Sequence, residues 1–389
     1  MPSSDKRILF VSALDLWGGD AKPLRAPGKT IDFYAENFDN VHILGISENI
    51  KKYKNYKNVR SVCVLKFLDY RKSQLLRYFL LNFVSVFLLT GYCLHLCRKH
   101  RITHVYGYEV HGTVASYLAS RVMRIPLISR FQGTVLKRQN NRLKQLFHYV
   151  VYFIHYIAFS LPCEKAVITD DGTFADVVFQ RFNSSSYIFL RNGINRPQYP
   201  KNVLEINNST ELELPSSYVC CSSRLVRWKK VDRVLLTLKN ISEMNIPLVI
   251  VGGGPDRERL SNMADELGLN VYFTGHVSQE LSYNIIANSL VFLSFYDLSN
   301  LGNPVLEAID SGVPIITINN GNTSSVIQNG INGILLNSWT AGGASTELVR
   351  LVTDRSHHQV IANGARKFAG EYFMTWSKRL KSEISFLKL

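Results

Sequence analysis

In the second half of the chain, short unbroken apolar runs alternate with amphipathic stretches. YVCCSSRL (218–225) is an apolar strand, followed by helical VDRVLLTLKNI (231–241). Strand PLVIVGG (247–253), helix DRERLSNMADELG (256–268) and strand NVYFTG (270–275) come next. Helix QELSYNIIAN (279–288), strand LVFLSF (290–295), helix NPVLEAIDSG (303–312) and strand PIITI (314–318) complete the series. Strands without alternation are buried on both faces, so this order predicts a parallel sheet with helices on either side. A doubly wound α/β domain follows, with its ligand at the carboxyl ends of the strands.

The first half has the same grammar. RILFVSAL (7–14) runs into Gly18 and Gly19; VHILGI (41–46), VCVLKF (62–67), THVYGYEV (103–110) and PLISRFQG (126–133) read as strands. HGTVASYLASRVM (111–123) is a helix, and KAVITDD (165–171) and SYIFLRNGIN (186–195) are further strands. A second Rossmann-like sheet is expected. The polar stretch Asn195–Pro215 carries three prolines and marks the joint, giving domains 1–197 and 198–371.

Two apolar segments interrupt this pattern. Tyr78–Cys97 approaches the length of a membrane span, but Asn82, Thr90 and His95 weaken it. Phe147–Leu161 is aromatic-rich and follows Lys137, Arg138, Arg142 and Lys144. Core helices, interfacial helices with a basic rim and, for the first segment, a spanning helix all fit. Charge bears on the choice. Residues 1–200 hold 28 Lys/Arg against 13 Asp/Glu, whereas residues 201–389 hold 17 of each, so the whole +15 lies in the first half. Such a half expects a polyanionic partner, and an anionic membrane surface suits its apolar segments. No basic motif interleaved with aromatics suggests nucleic acid. The six cysteines form no CxxC pair and read as reduced core residues of an intracellular chain. The first apolar stretch, ILFVSAL, is short and Asp15 follows, so no cleavable leader is expected.

The candidate chemistry lies at strand ends. Arg224 closes one strand and Lys229 stands five residues later, before a helix, where two cations can grip a diphosphate. Gly252, Gly253 and Gly254 allow a tight turn but lack the dinucleotide fingerprint. In SNLGNPVLEAIDSG, Gly302 permits close backbone approach, Pro304 suits a first helical turn, and the amide groups around residues 300–303 form an anion site. Glu307 lies one turn in, and helical side chains lean towards the N-terminus, so its carboxylate reaches the mouth of that site. There it suits hydroxyls such as those of ribose. No DxD motif occurs among the fifteen aspartates, so no metal site is expected, and neither His357–His358 nor Cys93/His95/Cys97 has metal spacing.

Read in order, these segments resemble a retaining glycosyltransferase of the GT-B fold, family-4 type (glycosyl transferases group 1). The resemblance runs through RL…K (224–229), VGGGP (251–255), FTG (273–275), LGNPVLEAIDSGVPII (301–316) and NGINGILL (329–336), with the Gly18–Gly19 loop and RNGIN (191–195). It implies an α/β fold of two Rossmann-like doubly wound domains facing a central cleft. It further implies that Arg224 and Lys229 hold the donor diphosphate, that Glu307 holds the ribose, and that Gly19 closes over the phosphates. Gly253 would belong to the donor site, His276 would stand next to the base pocket, and FMTWSKRLKSEISFL (373–387), in a terminal helix 372–389, would cross back to the first domain.

Two positions depart from the family. Its second glutamate, eight residues before the first, is here Ser299; Asp297 is close but out of register, which leaves the amides of Asn300, Leu301 and Gly302 for the sugar. Its usual histidine is here Gln132, which can bond a hydroxyl but cannot transfer a proton; Glu109 and His111 are the nearest substitutes. The expected activity is metal-independent transfer of a sugar from a UDP- or GDP-sugar to a glycan or lipid-linked acceptor. The expected setting is surface-polysaccharide or lipopolysaccharide synthesis on the cytoplasmic face of a membrane, without a further cofactor. A nucleotide-sugar epimerase or hydrolase, or a non-catalytic binding protein, fits the same residues.

Overall fold

A computed structural model describes residues 6–13, 26–45, 59–63, 80–136 and 141–389. The Gly18–Gly19 loop, Lys137, Arg138 and the first two residues of the 78–97 segment lie outside the described residues.

The unbroken apolar runs become two parallel sheets. The first contains β1 (Arg7–Ser12), β2 (Asn40–Gly45), β3 (Val59–Cys63), β4 (His104–Tyr108), β5 (Leu127–Phe131), β6 (Lys165–Asp170) and β7 (Ser186–Arg191), in the order β3-β2-β1-β4-β5-β6-β7. The second contains β8 (Val219–Ser222), β9 (Leu248–Val251), β10 (Val271–Gly275), β11 (Phe292–Ser294), β12 (Ile315–Ile318) and β13 (Ile334–Leu336), in the order β10-β9-β8-β11-β12-β13. In both sheets the strand order reverses at the first strand, between β1 and β4 and between β8 and β11. A crevice opens at such a switch point, outside the carboxyl ends of the strands. The motif segments that follow β8 and β11 meet at the second of these crevices.

Helices cover both faces of each sheet. Those that shape the site are α1 (Ala26–Asn37), α2 (Ser85–His100), α3 (Glu109–Met123), α4 (Arg142–Val151), α5 (Phe153–Ser160) and α6 (Ala175–Phe182) in the first domain. In the second they are α7 (Val203–Ser209), α8 (Val231–Lys239), α9 (Arg257–Glu266), α10 (Gln279–Ala287) and α11 (Asn303–Ser311). The last three are α12 (Ala341–Thr353), α13 (Arg355–Tyr372) and α14 (Trp376–Leu387). The polar joint is not a plain linker. It contains α7, capped by a reciprocal Asn202–Glu205 box, and Ile206 and Leu214 pack into the core of the second sheet. The backbones of the two crossing segments touch: the Ile194 N–H donates to Met374 O at 2.9 Å. From there α14 runs onto the first domain, where Leu387 and Ile384 join the β1/β2/β4 core.

The 78–97 segment is a core helix over its described part. After a π turn at Leu80–Val84, α2 buries Leu89, Cys93, Leu96 and Cys97 against β1 and α3 while Phe87 and Tyr92 face outward. Among the described residues no helix is long and apolar enough to cross a membrane. Phe147–Leu161 is not one helix: the backbone breaks at Tyr152, and the segment divides between α4 and α5. Ile154, Ala158 and Phe159 of α5 are core, whereas Leu143, Leu146, Phe147 and Val150 of α4 are exposed.

Candidate functional site

A cleft of about 660 Å³ lies between the domains. Its floor is the end of β8 with Ser222, Ser223 and Arg224, and the glycine turn after β9. Its walls are His276, Gln279, Asn303, Pro304 and Glu307, with Ala26 reaching in from the first domain. Two helix N-termini, those of α1 and α11, therefore open on one space. The positive ends of their dipoles favour an anion there. Gly302 caps α11 without a side-chain cap, and Pro304 fills its first turn. Gly253 packs on His276: a Cβ would stand 2.9 Å from the imidazole Nε2. Arg224 is exposed, with no hydrogen bond or ion pair of its guanidinium among the described residues.

Glu307 is buried on α11 and accepts from Gln279 Nε2 at 2.9 Å. Burial pushes its carboxyl up to about 7, against the pull of Gln279 and Lys29. Lys29, on α1, donates to the other end of the same amide, Gln279 Oε1. Burial lowers Lys29 to about 8. Glu307 is thus reached from the opposite domain through one glutamine.

Lys229 is held by ring faces. Its Nζ lies 3.7 Å from the Tyr296 ring centroid and 4.3 Å from that of Trp228. Such contacts keep a desolvated ammonium charged without an ion pair. Burial lowers it to about 8, while Cys221 and Asp171 act to raise it. The neighbouring cations are spent: Arg227 pairs with Asp256, and Lys230 and Arg233 pair with Asp297 at 3.5 and 2.8 Å. Asp297, out of register in the sequence, is therefore an ion-pair partner and not a replacement for the glutamate.

A second group of polar residues stands at the ends of β4, β5 and β6, which are neighbours in the first sheet. Glu109 has φ +59°, uncommon for a non-glycine residue, and such strain gathers at functional sites. Its Oε1 accepts the Gln132 N–H at 3.1 Å, and the Gln132 side-chain amide donates to Tyr108 Oη. Burial raises Glu109 to about 7, with Asp171 adding to the rise. Asp171, at the end of β6, is raised to about 6 by burial. Two glycines make room here. At Gly133 (φ +85°) a Cβ would stand 1.9 Å from Asp171 Oδ2, and at Gly172 (φ +84°) it would stand 2.2 Å from Ser299 Oγ.

Three sequence candidates have other duties. His111 meets Asn82 Oδ1 at 3.0 Å, and burial lowers it to about 4, so it is a neutral packing residue of α3 rather than an acid or base. Ser299 donates to the Asp171 carbonyl and so clasps the two domains. Asn300 is fully buried and ties its own loop: it accepts from Ser294 Oγ and Tyr296 N–H and donates to Asn320. Its N–H points at Thr323 Oγ1 at 3.4 Å, and that of Leu301 at Ser299 Oγ at 3.4 Å. Gly302 and Asn303 are left as the amides best placed for an anion. Asp171, Lys29, Gln279 and Tyr296 were not foreseen. Only Asp171 left a trace, as a strand-end carboxylate before a glycine. Among the described residues, no cluster of three or more His, Cys, Asp or Glu side chains could hold a metal ion.

Residues 203–368 match the family model for glycosyl transferases group 1. The chain is 29% identical over 242 residues to a GDP-mannose-dependent alpha-(1-6)-phosphatidylinositol monomannoside mannosyltransferase of Mycobacterium tuberculosis, covering 55% of this chain and 61% of that protein. It is 29% identical over 169 residues to an uncharacterized glycosyltransferase of Methanocaldococcus jannaschii, covering 42% of this chain and 43% of that one. The matched stretches thus span about half the length of these curated relatives. The fold matches Anabaena HepE in complex with UDP-glucose at TM-score 0.74 and 15% identity, over 98% of this chain and 100% of that one. It also matches WaaG, a glycosyltransferase involved in lipopolysaccharide biosynthesis, at TM-score 0.69 and 15% identity, over 97% and 99% of the two chains. The fold is GT-B, and with the family model it supports a GT-B glycosyltransferase.

Proposed function

We propose that the chain transfers a sugar, with retention at the anomeric carbon, from a UDP- or GDP-sugar to a hydroxyl of a glycan or lipid-linked acceptor in surface-polysaccharide synthesis. The observation that carries this reading is the convergence of Arg224, the α1 and α11 N-termini and the buried Glu307 on one cleft. The ribose hydroxyls donate to Glu307, and the diphosphate lies at the start of α11 beside Arg224. The bond from the anomeric carbon to the phosphate oxygen breaks with its electron pair going to the diphosphate. The acceptor oxygen bonds to the same carbon, and its proton passes to the departing phosphate. Arg224, Lys229 and the helix amides stabilise the charge that develops. Gln132, Glu109 and Asp171 orient the acceptor. The basic first domain works against an anionic membrane surface, a reading supported by the exposed apolar side chains of α4. Incubation with a panel of nucleotide sugars, following nucleotide release with and without membrane lipid, tests the whole reading. Release that never depends on an acceptor would turn it into hydrolysis, and no release from any donor would sink it.

Two narrower outcomes follow. Donor affinity should rise with pH, because ribose hydroxyls bond the carboxylate and Glu307 ionises only near 7. Lys29 and the Gln279 amide face the same group, and Asp310 acts on it from α11 while paired with Arg196. Affinity should be roughly tenfold weaker at pH 6 than at pH 8, as the ionised fraction dictates. Glu307→Gln should weaken binding by about tenfold to a hundredfold and flatten that dependence. Calorimetric titration of UDP and GDP decides this, and an unchanged pH slope in the variant would remove Glu307 from the ribose. The second outcome concerns metal. Because protein cations neutralise the diphosphate in this reading, turnover should survive EDTA. Loss of turnover restored by magnesium or manganese would contradict the role given to Arg224 and Lys229.

A further inference from the structure

A second concavity, of about 1150 Å³, lies beside the loop that follows β6. Its inner end is formed by Thr134 and Thr173 from the loops after β5 and β6, and by Leu298 and Gly321 from the second domain. Thr173 stands two residues after Asp171, donates to its carboxylate through both N–H and hydroxyl, and accepts from the Thr134 N–H at 2.8 Å. The outer walls are the facing sides of α4, α5 and α6. They are apolar and aromatic, with Leu146, Tyr149, Phe174 and Val177 all exposed. Two cations, Arg142 and Arg181, line this space, and among the described residues no carboxylate does. Neither guanidinium has an ion pair or hydrogen bond among the described residues.

We infer that this groove holds the acceptor as an apolar chain ending in phosphate or diphosphate. Arg142 and Arg181 take the phosphate, the α4 and α6 walls take the chain, and the acceptor hydroxyl is presented towards Asp171. The inference rests on the glycosyltransferase reading above and names the acceptor class for it. Charge complementarity carries the argument. An uncharged glycan gives two arginines without partners among the described residues nothing to bind, and an acidic glycan without a chain gives nothing to cover four exposed apolar side chains. Position carries the rest, because Thr173 at the inner end of the groove bonds Asp171, the carboxylate that also acts on Lys229. An amphiphile seated against Thr173 is therefore directed towards that carboxylate.

The test uses the full chain with farnesyl diphosphate below its micelle concentration, and UDP and GDP titrated in parallel. Farnesyl diphosphate should bind, with farnesol and inorganic diphosphate each at least about tenfold weaker, since each supplies only half of the recognition. Arg142→Ser with Arg181→Ser, and separately Leu146→Glu with Val177→Glu, should each weaken farnesyl diphosphate by roughly tenfold or more. The four side chains are exposed, so folding should tolerate the changes, and nucleotide affinity reports on it directly. No binding to the wild type, or equal binding to both double variants, overturns the inference. Capture by phosphatidylglycerol vesicles through these residues without farnesyl diphosphate binding also overturns it, and makes the groove a membrane-docking face. Lipid phosphate binding with no nucleotide binding upholds the groove while rejecting the donor reading.

Discussion

Glu383→Ala should cost the protein about 3–5 kcal/mol of stability, the range for removing one partner of a buried ion pair. Glu383 lies on α14 with 0% of its side chain exposed, between Arg130 of β5 and Arg379 of its own helix, both also at 0%. One carboxylate oxygen accepts from Arg130 Nη1 at 2.9 Å and from Arg379 Nη1. The other accepts from Tyr106 Oη at 2.7 Å and Tyr34 Oη at 3.2 Å. The Nε and Nη2 atoms of both arginines lack a protein acceptor among the described residues, so Glu383 is the carboxylate that both guanidinium groups bond. Alanine would leave two buried cations without it. Glu383→Gln keeps the tyrosine bonds and should fall between the two. The pH dependence has a definite sign. Burial pushes the Glu383 carboxyl up, but the two guanidinium groups outweigh it and hold the group below the usual glutamate range. Its contribution is therefore complete above the unfolded value of ~4.3 and is lost as pH falls through its lower folded value. Denaturant unfolding of wild type and variants, at neutral pH and in acid, measures both effects. A variant within about 1 kcal/mol of wild type would show that the cluster is not a tether.

That cluster marks where the sequence stopped being informative. Both sheets could be read because buried parallel strands must be unbroken apolar runs. β8 through β12 lie within the runs at 218–225, 247–253, 270–275, 290–295 and 314–318. β13 was missed: ILL at 334–336 is too short to stand out beside a turn of glycines and asparagines. α1 was missed as well, because its buried face includes Pro27, Gly28 and Thr30, which carry no helical periodicity. The resemblance placed α14 only as the segment that crosses back to the first domain. Nothing in one sequence says that Glu383 and Arg379 point inward and meet Arg130, because pairing across 253 residues is a property of the assembled domains.

The site divides the same way. Arg224, Glu307 and the α11 start were legible because a strand end, a glycine and a helix beginning dictate their placement. The domain-crossing contacts were not. Lys29 reaches Gln279 across 250 residues, and Ser299 reaches the Asp171 carbonyl across 128. Each needs both sheets in place before the partners are near. His111 shows the converse error. It follows a strand end as a catalytic group would, but its ring lies on the side of α3 that faces Asn82.

Turnover should fall by about thirtyfold to a thousandfold in Lys229→Ala, which is ~2–4 kcal/mol of barrier for one preorganised charge removed. The effect belongs on kcat more than on KM, because the charge on the departing diphosphate grows as the glycosidic bond breaks. Arg224→Ala should lose a comparable amount. The double variant should lose less than the sum, since both cations act on the same phosphates. Lys229 also shapes the pH profile. It is protonated below about 8, while Glu307 ionises at about 7. The profile of kcat/KM for the free enzyme should therefore rise through the glutamate and fall through the lysine, leaving a narrow maximum between them. Lys29, lowered to a similar value, contributes to the same falling limb, so the wild-type profile alone does not assign it. Lys229→Arg separates the two. A guanidinium stays charged through this range and can stack on Trp228 and Tyr296, so the falling limb should move to higher pH where Lys229 sets it. An unmoved limb together with full activity in Lys229→Ala would leave Arg224 and the α11 amides as the whole of the leaving-group stabilisation.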